Sequence, residues 1–167
     1  IKAKAIYFHS DYLDLRGDFY LEGYWQSENF FVEIRDILLN ELTVNTSITK
    51  SNSDYLENIK ATNSVSLHIR RADYLDNLKT NSVHGVCEIN YYNKAVNKIF
   101  ENVTDPVFFV FTDDHEWVKK ELNIGCPFNL IEGNNAEFNY EDLRLMKNCK
   151  HNIIANSTFS WWGAWLN

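Results

Sequence analysis

The sequence predicts an α/β fold built on a doubly wound, Rossmann-like parallel sheet. Three observations lead there. From residue 64 onward, short apolar runs alternate with amphipathic segments. The runs are read as apolar on both faces, most plainly Val107 to Phe111, as in strands covered on two sides. Strand–helix alternation within one sheet also calls for right-handed crossovers, which place helices on two sides.

Each element has its own basis. Residues 1–18 are polar and aromatic with little period, and 19–25 (FYLEGYW) have the composition of a short strand. The 27–41 segment and its flank set Phe30, Phe31, Ile34, Ile37, Leu38 and Leu42 near helical spacing, with Ser27 as cap. The polar stretch 43–54 reads as a loop and 55–61 as a short helix. Strands follow at 65–69, 107–111, 128–131 and 152–155, with helices at 89–102, 115–123 and 140–149 and another beginning after residue 157. The change of pattern divides the chain into 1–63 and 64–167.

Composition narrows the function. Of 167 residues, 45% are hydrophobic and 15% aromatic, enough for a buried core. Sixteen Lys and Arg against 23 Asp and Glu give a net charge of −7. A nucleic-acid partner calls for the opposite balance, although a local basic cluster can still hold one phosphorylated ligand. Cys87, Cys126 and Cys149 are odd in number and lack a CxxC spacing, so they read as reduced thiols rather than a disulfide or zinc framework. No apolar run reaches the ~18 residues of a membrane span. The chain begins at Ile1 without a charged-then-apolar leader and stops at Asn167 inside a predicted helix, so we expect an internal piece of a longer protein.

In a doubly wound sheet, ligands sit beyond the carboxyl ends of the strands. The first strand is followed by Arg70-Arg71-Ala72-Asp73. A guanidinium is permanently charged and its fork matches two phosphate oxygens, while Asp73 could hold one arginine in place. The plainer alternative is a surface ion-pair cluster. The second strand runs into Thr112-Asp113-Asp114; Asp114 suits a helix cap, and Asp113 remains open to a ribose or base. A carboxylate metal pair is also conceivable there, but no third ligand accompanies it. After the fourth strand, Asn156-Ser157-Thr158-Phe159-Ser160 forms a hydroxyl-rich turn into a helix, whose amino end attracts phosphate. An ordinary capped helix is the alternative. Together these groups describe a nucleotide-diphosphate site without a glycine-rich loop or a P-loop lysine. His9, His115 and His151 read as surface or packing residues. The sequons at Asn45, Asn102 and Asn156 read as chance matches in an Asn-rich chain.

The segment from His68 to Asp73 (HIRRAD) resembles the HxRRxD motif of fucosyltransferases. Phe111 to Trp117 (FTDDHEW), Asp142 to Met146 (DLRLM), Cys149, His151 and Asn156 to Trp162 (NSTFSWW) resemble the α1,2-fucosyltransferase family in particular, as does Gly23 to Glu28. The likeness runs over about residues 20–167. It implies the GT-B architecture, with 1–63 ending an acceptor-side domain and hinge and 64–167 forming most of the GDP-fucose-binding domain. It implies inverting, metal-independent transfer of L-fucose from GDP-β-L-fucose to the 2-hydroxyl of a galactose-terminated glycan or glycolipid. No cofactor is expected. By similarity Arg70, Arg71 and Asp73 are the catalytic set, with one arginine on the β-phosphate and the other fixing the loop. His68, Asp113, Asp142, Asn156, Ser157, Thr158 and Ser160 would bind the donor, Asp142 at the guanine or ribose unless it merely suits the first turn of its helix. Asp73, His84 and Asp113 are candidates for a general base, and spacing selects none of them. The resemblance and the Asn- and Lys-rich composition together imply a bacterial protein of the cytoplasm or the inner-membrane surface, acting in polysaccharide biosynthesis. A non-catalytic nucleotide-sugar-binding remnant or interaction module is the alternative from another class.

Overall fold

A computed structural model describes residues 8–71 and 85–167. The chain separates into two compact units, 1–43 and 44–167. In the first, 3-10 turns at Ser10–Tyr12, Glu28–Phe30 and Val32–Ile34 precede helix α1, Arg35–Glu41. Phe8, Tyr12, Trp25 and Phe30 meet edge-on or tilted around one another, with ring centroids 4.8–6.4 Å apart. The strand expected at 19–25 is reduced to an isolated bridge at Glu22. The helix expected over 27–41 is α-helical only from Arg35, because Phe31 (φ −145°, ψ 5°) interrupts the turns before it. Ser27 does cap, accepting from the Asn29 amide.

The second unit carries the sheet. Helix α2, Lys50–Ala61, starts five residues before its expected position, capped by Thr49, whose hydroxyl accepts from the Asn52 amide. It packs on β1 and so belongs to this unit, which begins at Val44 rather than at the change of pattern near residue 64. The strands are β1 Asn63–Ile69, β2 Pro106–Thr112, β3 Phe128–Leu130 and β4 His151–Ile153. Helices α3 Ile89–Asn102, α4 His115–Glu121, α5 Asn139–Met146 and α6 Thr158–Trp165 complete the alternation.

The four strands are parallel in the order β3-β2-β1-β4. Successive side chains of a strand face opposite ways, and the two cores follow from that. Val65, Leu67 and Ile69 of β1 join Phe108 and Val110 of β2 against Tyr92 and Val96 of α3 and Val118 of α4. On the other face Phe109 and Phe111 meet Ile59 of α2, Leu145 and Met146 of α5, and Cys149. The chain steps outward from β1 to β2 to β3, then returns through α5 on the opposite face to add β4 on the far side of β1. Strand order therefore reverses between β1 and β4, the switch point at which doubly wound sheets bind ligands.

The second face of β1 is polar yet buried, carrying Ser64, Ser66 and His68. Ser66 donates its hydroxyl to Asn152 Oδ1 at 2.5 Å, and Ser64 Oγ accepts from the Lys150 amide at 3.2 Å. These bonds satisfy the hydroxyls and tie β4 to β1, adding side-chain links to the short backbone ladder.

Candidate functional site

Strand register builds the site. β1 and β2 pair up to Ile69 opposite Thr112, so the next two positions bring Arg70 level with Asp113 and Arg71 level with Asp114. Ion pairs form on that match: Arg70 Nε lies 3.2 Å from Asp113 Oδ2, and Arg71 Nε lies 3.8 Å from Asp114 Oδ2. Asp113 Oδ1 also accepts from the Arg71 backbone N–H at 2.9 Å. Asp114 caps α4, accepting from the Trp117 amide at 3.0 Å, while its own N–H bonds Thr112 Oγ1. The capping role read for Asp114 is thus present, and the same residue also serves an arginine. Asp73, the expected partner of the arginines, and His84 lie outside the described residues.

The two guanidiniums have different surroundings. The Arg71 side chain is 17% exposed and its guanidinium carbon sits 4.0 Å over the Trp117 ring. Arg70, paired with Asp113, is 35% exposed. Arg71 has the setting of a loop-fixing group, and Arg70 that of a group able to meet an anion.

His68, the penultimate residue of β1, is 4% exposed, with its ring 5.8 Å from Phe159 of α6. Burial, with the nearby Arg70 charge adding to it, lowers its pKa to about 4, so the imidazole is neutral at neutral pH. His68 Nδ1 and Arg71 Nε are buried and have no hydrogen-bond partner among the described residues. Such orphans are uncommon, and these two stand at the carboxyl end of β1.

Across the switch point, β4 pairs Ile153 with Leu67, and Asn156 follows three residues after the strand ends. Ser157 is the N-cap of α6 in extended conformation, and no side chain caps this helix. The amides of its first turn therefore lack intrahelical partners and carry the positive end of the helix dipole. Asn156 and Thr158 are exposed and Ser157 is half-buried. Ser160 is 1% exposed and donates its hydroxyl to the Ser157 carbonyl at 3.3 Å, shaping the turn from within. Tyr91 of α3 donates to the Ile154 carbonyl at 2.6 Å, holding the chain just ahead of that turn.

Asp142 lies in the first turn of α5, the position the sequence offers as its alternative role. Its Oδ1 accepts from Asn134 Nδ2 at 2.8 Å, and Asn134 exchanges two amide hydrogen bonds with Asn52 of α2. Burial raises the carboxyl to a pKa of about 6, against the lowering effects of the Asn134 hydrogen bond and the His115 charge. Its neighbour Glu141 is almost fully buried and pairs with Arg144 at 2.9 Å; Arg144 also donates to the Thr46 carbonyl at 2.7 Å. Among the described residues no group of three potential metal ligands converges, and no helix is long and apolar enough to cross a membrane.

Sequence reasoning names the arginines, Asp113 and the hydroxyl turn, but assigns no role to Trp117, Tyr91, Asn52, Asn134 or Arg144. For Trp117 a signal exists, since it stands three residues after a cap that follows an apolar strand. Each of the other four also has a partner 63 to 98 positions away, which no local pattern reveals.

Residues 6–167 match the family described as Glycosyl transferase family 11. The chain is 41% identical over 156 residues to an alpha-1,2-colitosyltransferase of Escherichia coli, covering 91% of this chain and 52% of that protein. It is 35% identical over 159 residues to the O-antigen biosynthesis glycosyltransferase WbnK of Escherichia coli, covering 93% and 53%. Against the galactoside 2-alpha-L-fucosyltransferase Sec1 of Mus musculus it is 27% identical over 154 residues, covering 86% and 41%. The chain spans about half the length of the curated relatives it matches. No solved structure gives a significant match. With the family match running over nearly the whole chain, and a parallel sheet whose switch point gathers two arginines and a helix amino end, this chain belongs to glycosyl transferase family 11.

Proposed function

We propose that the chain supplies the donor-binding half of an inverting GT-B α1,2-fucosyltransferase, moving L-fucose from GDP-β-L-fucose to the 2-hydroxyl of a galactoside. The observation that carries this reading is the in-register pairing of Arg70 with Asp113 and Arg71 with Asp114 at the switch point. The chemical demand is to stabilise a departing diphosphate while the sugar becomes oxocarbenium-like. In this reading Arg70 meets the β-phosphate, Arg71 fixes the loop, and the first-turn amides of α6 with Ser157 and Thr158 take further oxygens. Neutral His68 lies beneath the nucleoside, and Asp142 is the acceptor for the guanine or ribose. The fixed guanidiniums replace a divalent cation, so the reaction needs no metal. Residues 1–43 belong to the acceptor side and hinge.

A second donor is supported by the 41% identity to a colitosyltransferase. Colitose is L-fucose without its 3-hydroxyl, so the two donors share the diphosphate and base contacts and differ at one sugar oxygen. The acceptor is a galactose-terminated glycan or glycolipid. The Escherichia coli relatives, one of them named for O-antigen biosynthesis, support a bacterial cytoplasmic or inner-membrane setting.

The test is transfer by the full-length protein from GDP-L-fucose and from GDP-colitose to lactose, with product linkage read by NMR. The reading expects an α1,2-linked product from one or both donors. Absence of product from both, with a well-folded protein, overturns it.

A further inference from the structure

Arg71 is in an unusual electrostatic position. Its guanidinium is largely withdrawn from water, its Nε is buried with no hydrogen-bond partner among the described residues, and the Asp114 oxygen it faces is 3.8 Å away, too far for a hydrogen bond. A partly desolvated cation needs compensation beyond one long ion pair. The face of Trp117, 4.0 Å from the guanidinium carbon, provides it. Trp117 is itself fixed twice: its amide donates to Asp114 Oδ1, and its side chain packs against the core beneath α4. Asp114 thus caps the helix that carries the ring and also faces the cation lying on that ring. The Arg71 backbone N–H, held by Asp113, closes the arrangement next to Arg70.

We propose that Trp117 is a positioning residue: its indole face holds Arg71 against Asp114 and thereby fixes the backbone that presents Arg70 to a diphosphate. The proposal rests on the reading of this crevice as a nucleoside-diphosphate site, and its tests separate the two. The full-length protein labelled with 5-fluorotryptophan identifies the Trp117 resonance by its disappearance in Trp117→Phe. Arg71→Gln is expected to move that resonance while those of Trp25, Trp161, Trp162 and Trp165 stay in place. This measurement needs no ligand. An unmoved Trp117 resonance overturns the contact, whatever the protein binds.

Titration with GDP then reads the consequence. Trp117→Leu, which removes the ring, is expected to weaken GDP by about tenfold, within the range of a partly desolvated cation–π contact. Trp117→Phe, which keeps a weaker ring face, should lose less. In an Arg71→Ala background, Trp117→Leu should add almost nothing, because the partner is already gone. Equal losses in both backgrounds would show that Trp117 acts through general packing and would overturn the positioning role. A parent protein that binds no GDP, yet shows the fluorine shift, would refute the nucleotide reading and leave the Trp117–Arg71 contact standing.

Discussion

Asp142 offers a prediction whose sign is worked from the structure. A carboxyl that titrates near pH 3.8 when unfolded is raised to about 6 in the fold, chiefly by burial. Between these values the native state holds the proton more tightly than the unfolded chain, so stability falls as pH rises through that window. At about 1.4 kcal/mol per pH unit the full effect is about 3 kcal/mol, and partial exposure discounts it to about 2. Asn is the neutral isostere and retains an oxygen for the Asn134 amide. Asp142→Asn should therefore match the parent near pH 4 and exceed it by about 2 kcal/mol at pH 7. Urea unfolding of parent and variant at each pH from 4 to 8 reads the difference directly. Taking the difference is necessary because buried His68, lowered to about 4, acts the other way: its contribution is lost as pH falls from 6.5 toward 4. Parallel stability profiles for parent and variant would refute the argument. If Asp142 also meets the donor, the stabilised variant should bind GDP more weakly, a trade common at functional sites.

The remaining predictions concern anchoring, packing and metal. Arg144→Ala leaves Glu141 buried without its cation and frees the Thr46 carbonyl, so it should destabilise by about 3 kcal/mol, measured by chemical denaturation. A loss below 0.5 kcal/mol, on the scale of exposed ion pairs, would contradict the buried pairing. Gly163→Ala on α6 would set a methyl 3.0 Å from Met146 Cβ and Sδ. Cβ is fixed to the α5 backbone and cannot yield as a side-chain tip can, so overpacking should outweigh the gain in helix propensity and lower stability by about 1 kcal/mol. Transfer by the full-length protein should persist in EDTA; complete loss restored by Mn²⁺ or Mg²⁺ would contradict the arginine-based account.

The sheet was legible chiefly from β2, whose residues Val107 to Phe111 are all apolar, as burial on both faces requires. The run at 107–111 names β2 almost to its ends, and the helix at 89–102 matches α3. Helix α2 is the instructive miss. Its first turn, Lys50 to Ser53, is polar because Lys50 and Ser51 are exposed and buried Asn52 is hydrogen-bonded to Asn134, and only the Thr49 cap signals that a helix has begun. In residues 1–43, apolar spacing suggests more regular structure than forms, since no residue in those helical turns is buried and their apolar side chains gain little from regularity. For the site, local sequence located Arg70, Arg71 and Asp113 at strand ends. It could not show that register sets each arginine against a consecutive aspartate, a relation between segments 42 or 43 residues apart. The cap at Asp114 was visible locally, whereas its part in holding Arg71 depends on that same register.

We propose that Arg70 and Arg71, set by β1–β2 register, form a diphosphate site with the amino end of α6. The most direct measurement is calorimetric titration of GDP into the full-length protein and its Arg70→Ala variant. Loss of a charged hydrogen bond should weaken binding by about 1.5–3 kcal/mol. Arg70→Lys should recover only part of it, because lysine keeps the charge without the fork. Equal GDP affinity in the parent and Arg70→Ala would put the diphosphate elsewhere and contradict the account.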